Sequence, residues 1–238
     1  MLGKAIAITL LAAAILTAAA PGVASSVEIR PGAQLANGCT MGWVFRDANG
    51  TFYVSTAGHC ATLGGRESVA GLGEFGTVVV QEAAGLGADF ALIQVDAADQ
   101  GLVNPTMLHF GGPTGAAMAD VPGAAYAFYG WGVDTSGSDA TRARVDPELA
   151  PPVDFLSWAG HVSSGDSGSP VMSVTGLAMG IATHSLAEPI AGGVAAHAAF
   201  GTPLRTMLGV AVTHGYVLQL VPGGPVDDAA ILGAIPST

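Results

Sequence analysis

The sequence predicts an all-β protein, a sandwich or barrel of short strands. Short apolar or β-branched runs recur along the chain, commonly bounded by glycine, proline or aspartate, while helix signals are sparse. Glycine supplies 35 of the 238 residues, which suits tight turns and counts against long helices. Half of the residues are hydrophobic and only 11% are charged, so a large core is available and global disorder is excluded. The length suits one domain or two closely packed small ones.

The N-terminus reads as an export signal. Lys4 gives a short positive region, Ala5 to Ala20 is apolar and uncharged, and small residues follow through Ala24, Ser25 and Ser26. The apolar stretch is short for a membrane span, so cleavage close after Ala24 is expected rather than an uncleaved anchor. Residues 1–24 are therefore assigned to a signal peptide and set apart from the fold. The formal net charge is −11, and losing Lys4, the one lysine, takes it to about −12. Such a polyanion is a poor partner for nucleic acid or for anionic membranes. No second apolar stretch is long and uniform enough to span a bilayer, so no membrane association is expected after cleavage.

The first element after the signal is a hairpin. Met41 to Arg46 and Thr51 to Thr56 are strand-like, and Asn49-Gly50 between them is a strong hairpin signal. Further strands are predicted at Gly76 to Gln81, Asp89 to Val95, Ala124 to Tyr129, Val171 to Val174 and Met179 to Thr183. One helix is predicted at Pro203 to Leu208, with Thr202 as N-cap and Pro203 at the first helical position. Val221 to Thr238 reads as a tail over the surface. Turn residues cluster at Gly111 to Gly123, which marks a boundary between two halves. The two cysteines, Cys39 and Cys60, are expected to pair in an exported protein, closing a loop worth about 3 kcal/mol; two free buried thiols are the alternative.

Three segments carry chemistry. In Gly165-Asp166-Ser167-Gly168-Ser169-Pro170, Ser167 is a candidate nucleophile, which needs a base to take its proton and N–H donors to hold the oxyanion formed on the attacked carbonyl. In Ser55-Thr56-Ala57-Gly58-His59-Cys60, His59 supplies a base whose ordinary pKa lies near neutrality. In Gly87-Ala88-Asp89-Phe90-Ala91-Leu92-Ile93, Asp89 opens an apolar strand, so its carboxylate can sit at the edge of the core and accept the Nδ1 proton of His59. Each has a plainer reading: a glycine-rich turn, a structural histidine, a solvated aspartate.

Together the segments run in the order His, Asp, Ser, and here the sequence resembles the chymotrypsin-like serine proteases, with spacing closest to their small bacterial branch. The likeness rests on Thr56-Ala57-Gly58-His59-Cys60, Asp89-Phe90-Ala91-Leu92 and Gly165-Asp166-Ser167-Gly168-Ser169-Pro170, and spans nearly all of the chain after the signal. It implies two six-stranded antiparallel β-barrels with a short C-terminal helix. The barrels would occupy residues 25–117 and 118–221, leaving 222–238 as the tail. It implies catalytic His59, Asp89 and Ser167 in the cleft, an oxyanion hole from the Gly165 and Ser167 N–H groups, and a Cys39–Cys60 bridge beside the histidine. Thr183 falls where the family places a serine near the triad aspartate. Its strand, Gly180 to Ser185, would pair with the substrate backbone.

Departures from the family are also visible. Ser163 stands where a further cystine is common, so the specificity pocket is less braced. His161, six residues before Ser167, falls at the pocket floor, and His184 on the strand of one wall; with Thr183 and Ser185 these are the expected substrate-binding residues. By the resemblance to glutamate-specific members of the family, which use histidine this way, two histidines would favour an acidic side chain before the cleaved bond. As a metal pair, His161 and His184 lack further ligands at suitable spacing, so neither metal nor cofactor is expected. In animal relatives a freed N-terminus pairs with the aspartate before the nucleophile; here Arg142 or Arg144 would pair with Asp166 instead. The expectation is a secreted, monomeric endopeptidase acting on proteins or peptides. Its rivals are a non-catalytic binding protein on the same scaffold and an esterase, the latter disfavoured because Ser167 lacks a Gly-x-Ser-x-Gly elbow.

Overall fold

The computed structural model describes residues 27–85, 87–118, 125–133, 142–149, 154–189 and 195–235, with side chains described throughout except at 187–189 and 195–197. The expected signal peptide lies outside the described residues. Among the described residues thirteen strands form two sheets: β1 (Val44–Arg46), β2 (Phe52–Thr56), β3 (Arg66–Val69), β4 (Gly73–Ala83), β5 (Asp89–Val95), β6 (Gly115–Ala116), β7 (Ala125–Tyr129), β8 (Ala143–Pro147), β9 (Leu156–Ala159), β10 (Pro170–Ser173), β11 (Leu177–Pro189), β12 (Ala195–Pro203) and β13 (Gln219–Leu220). The α-helices among them are α1 (Leu204–Thr213) and α2 (Asp228–Ala234).

The first sheet has six strands in the order β13-β1-β2-β5-β4-β3. The segment before β1 folds back onto the β3 edge: Leu35 pairs with Val69 of β3, and Gln34 pairs with Thr40, which precedes β1. The second sheet runs β8-β7-β10-β11-β12-β9, and a Glu148–Trp158 bridge joins its two ends. It has seven strands rather than the expected six, because β6 adds in parallel to β11. Closure of this kind removes exposed sheet edges.

Period-2 alternation explains why the predicted strands read as continuous apolar runs. In β1, β2 and β5, the residues Val44, Val54, Ala91 and Ile93 point into the first barrel. Their neighbours Phe45, Tyr53, Phe90 and Leu92 point the other way, into a shared layer with Ala127, Tyr129, Met172, Ile181 and Met207. In β7, Tyr126 and Phe128 face into the second barrel, beside Trp158. Both faces of these strands are buried, so no polar alternation survives.

The hairpin forms as predicted. Asp47 Oδ1 accepts from the N–H groups of Asn49 and Thr51, at 2.9 Å each, which folds the turn back on itself. The helix near residue 203 differs in detail. It runs to Thr213, Pro203 is its N-cap and no side chain caps it. Thr202 is not the cap, because its hydroxyl is engaged with the backbone N–H and C=O of Asp89, both at 3.1 Å. The C-terminal stretch also departs from a surface tail. Residues 219–220 form an edge strand on β1 of the first sheet, outside the barrel to which they were assigned. Asp227 then caps α2 by accepting from Ala230 N–H at 3.0 Å, and Ile231 is buried in the shared layer.

Trp43 ties the barrels together. Its ring is fully buried, and Nε1 donates to the carbonyl of Gly180 in β11 at 2.7 Å. Trp43→Phe keeps most of the apolar contact but strands that carbonyl. A loss of about 1–3 kcal/mol is expected, read from the urea midpoint; an unchanged midpoint would remove Trp43 as a tie.

Candidate active site

The groove between the barrels collects residues from distant parts of the chain. His59 lies in a 3-10 turn, Gly58–Cys60, directly after β2. Asn37 Nδ2 donates to the Cys60 carbonyl at 2.8 Å, and a disulfide joins Cys60 to Cys39. The turn is thus pinned to the segment around residues 37–39. Asp89 is the first residue of β5 and 1% exposed. Its backbone is clamped by Thr202 from the second barrel. Its carboxylate accepts twice from His59, from the backbone N–H at 2.9 Å and from Nδ1 at 2.5 Å.

On the opposite side of the imidazole, Nε2 lies 2.9 Å from Ser167 Oγ. With Nδ1 donating to Asp89, Nε2 carries the lone pair and the serine hydroxyl donates to it. The hydrogen bond to the Asp89 carboxylate raises the His59 pKa above its ordinary value, and partial burial opposes it. The three residues form one continuous chain of hydrogen bonds across the groove.

The loop bearing Ser167 is held by its two glycines and one ion pair. Gly165 has φ +106°, and a Cβ there would meet the Trp131 carbonyl at 2.5 Å. Gly168 has φ +89°, and a Cβ would meet the Thr40 carbonyl at 2.2 Å. Only glycine suits either position. Thr40 stitches this loop to the first barrel: its N–H donates to Ser167 O at 2.9 Å and its hydroxyl to Gly165 O at 2.7 Å.

Peptide planes fix where the loop N–H groups point, since N–H and C=O of a trans peptide are antiparallel. The Ser164 carbonyl accepts from Val133 N–H and the Asp166 carbonyl from Ser169 N–H, both at 2.9 Å. The Gly165 and Ser167 N–H groups are therefore turned away from those partners. Among the described residues neither donates to another backbone group.

Asp166 is fully buried. Arg144 Nη1 and Nη2 reach its two carboxylate oxygens at 3.0 and 2.6 Å, and the Gly132 and Ser163 N–H groups donate at 2.8 and 3.0 Å. Of the two arginines left open by the sequence, Arg144 is this partner; Arg142 lies over the Trp131 ring, 3.6 Å from its centroid.

Two cavities flank Ser167. One, of about 340 Å³, is lined by Val162, Ser163, Ser164, Thr183, His184 and Ser185, with His59 and Ser167 at its mouth. The other, of about 420 Å³, lies on the Cys39 side and includes Trp131 and Val133. His161 does not line the first cavity; Val162 and Ser163 stand there instead, and the His161 carbonyl accepts from Arg144. Thr183 makes no hydrogen bond to Asp89 among the described residues. A bulge in β11 between Ala182 and His184 slips the register by one residue against β12. A one-residue slip exchanges faces. The Thr183 hydroxyl turns to Phe200 O at 3.4 Å, and His184 Nδ1 comes to 3.8 Å from Asp89 Oδ2. His59, Asp89 and His184 each offer a ligating atom within 4.8 Å of the other two, as the one such metal-competent group among the described residues.

Sequence reasoning missed Thr40 and misread Thr202. Thr40 had a weak signal, adjacency to Cys39; its contacts join positions more than a hundred residues apart, which no local pattern records.

This fold is that of the bacterial chymotrypsin-like serine proteases. Among solved structures, Thermobifida fusca protease A is similar at TM-score 0.60 and 23% identity, over 83% of this chain and 100% of that one. A glutamic-acid-specific serine protease, described as using a histidine triad in substrate binding, is similar at TM-score 0.60 and 18% identity, over 81% and 100%. Nocardiopsis protease is similar at 0.56 and 16%, over 82% and 99%. No protein-family profile and no curated protein matches the chain.

Two stability predictions follow from the groups around the loop. Arg144→Met should cost about 3–5 kcal/mol, because it leaves Asp166 charged and buried; denaturant unfolding that shows less than about 1 kcal/mol would contradict this. Asp146, on β8, has its carboxyl pushed up to about 6, mainly by burial, against the pull of Arg144. A carboxyl raised on folding costs stability as pH climbs from its unfolded value through about 6. Asp146→Asn should therefore raise the Tm at pH 8 and leave it nearly unchanged at pH 4; equal shifts at both would rule out the titration.

Proposed function

We propose that this protein is a secreted serine endopeptidase. The observation that carries this reading is the hydrogen-bonded chain from Asp89 through His59 to Ser167, with 2.5 and 2.9 Å links. Ser167 Oγ attacks the scissile carbonyl while His59 Nε2 takes its proton. Asp89 keeps the imidazole in the accepting tautomer and stabilises the imidazolium. The Gly165 and Ser167 N–H groups, turned away from the loop carbonyls, receive the oxyanion. His59 then hands its proton to the leaving amine, and water repeats the cycle to release the acyl group. No cofactor enters.

The substrate is a polypeptide lying along β11, with one side chain in the cavity lined by Thr183, His184 and Ser185. His161 is outside that lining, so His184 is the histidine that faces the bound side chain. Residues 1–24 direct export and are removed. Arg144 holds Asp166, so the nucleophile loop needs no freed N-terminus to shape it.

Three measurements test this reading. A fluorescent organophosphonate should label the chain lacking residues 1–24, and Ser167→Ala should abolish both labelling and casein hydrolysis, the latter by on the order of 10⁶-fold. Cleavage of short esters but not casein would make it an esterase, and no labelling would make it a binding protein. Activity should appear without added protease; latency relieved by a protease would refute the role given to Arg144.

A further inference from the structure

His184 takes no part in the proton transfers of the proposed reaction, yet its ring lies against the Asp89 carboxylate. Its Nδ1 is shielded from solvent and makes no hydrogen bond. It faces Asp89 Oδ2 at 3.8 Å, beyond hydrogen-bond range. If Nδ1 carries a proton, that proton reaches no acceptor; if it carries the lone pair, two acceptors face each other. A cation between them resolves both cases. The His59 ring is beside it, 5.8 Å between ring centroids, and presents its own Nδ1 to the same carboxylate oxygen.

We propose that Asp89, His59 and His184 bind a divalent transition-metal ion of the zinc type, and that this ion reversibly switches the hydrolase off. Two imidazoles and a carboxylate with an open fourth position form a set that zinc accepts. Tetrahedral zinc with bonds of about 2.0–2.1 Å needs ligand atoms about 3.3 Å apart. The Asp89–His184 gap of 3.8 Å must shrink and the Asp89–His59 contact of 2.5 Å must open, each by less than about 1 Å. Both rings can move: their side chains are 43% and 37% exposed. The metal takes the Nδ1 lone pair of His59: the ring's single proton leaves Nδ1 to solvent and one is taken up from solvent at Nε2, the nitrogen facing Ser167, so the imidazole stays neutral. An N–H there cannot accept the serine proton, so the nucleophile is not activated. The off-switch rests on the proposed hydrolase reading; the metal site does not.

The test uses the Ser167→Ala chain, which keeps all three ligands and cannot digest itself. Calorimetric titration with zinc chloride should give one ion per chain, with affinity reduced more than about tenfold by His184→Gln. In the same Ser167→Ala chain, imidazole NMR signals of His59 and His184 should both shift with zinc, which needs no substitution at a ligand. In the wild type, zinc should suppress organophosphonate labelling, and a chelator should restore it. No binding at about 1 mM zinc, binding indifferent to His184→Gln, or shifts confined to other histidines would overturn the site. Binding without suppression of labelling would overturn the switch. If no labelling occurs even without metal, the hydrolase reading fails while the calorimetry still decides the site.

Discussion

The carboxylate of Asp89 is the constraint around which the groove is arranged. It is almost wholly removed from solvent, so its charge must be met by donors, and His59 meets it twice. The backbone of the same residue is gripped by Thr202 of the other barrel. A single position therefore sets the ring orientation of His59 and joins the two sheets. Burial strengthens the link, because a hydrogen bond to a charge gains in a medium of low dielectric. His184 also faces this carboxylate, at 3.8 Å, and a site built this way is open to capture by a borderline cation of the zinc type.

The loop bearing Ser167 is held by a different device. Asp166 turns its carboxylate inward onto Arg144 and two backbone N–H groups, while Thr40 fixes the Gly165 and Ser167 carbonyls from the first barrel. A buried pair of this kind gives little net stability over an apolar alternative, so its value lies in fixing one loop conformation. Glycine at 165 and 168 makes that conformation reachable; the ion pair and Thr40 make it the one that is kept.

Much of this was legible in the sequence, for definable reasons. The first hairpin and β5 were readable because their residues are β-branched or aromatic and their turns carry Asn-Gly or Asp. β12 was not, since Ala195–Pro203 is dominated by alanine and carries no alternation. β8 was not among the predicted strands, since Arg144 and Asp146 interrupt its apolar residues. His59, Asp89 and Ser167 stood out through local patterns. The exchange of Thr183 for His184 beside Asp89 did not, because it depends on a one-residue bulge against a strand that was itself unseen. Likewise, Thr202 looked like a helix cap until its long-range partner was known.

The pairing of β13 with β1 has a consequence for biogenesis. The outermost strand of the first barrel is supplied by residues translated well after the rest of that barrel. The two halves of the molecule are thus not separable modules: the earlier half waits, with one strand uncovered, for the later half to arrive. Maturation of the groove becomes a late event in the life of the chain, and a product halted before residue 219 would emerge with an unsealed, adhesive edge.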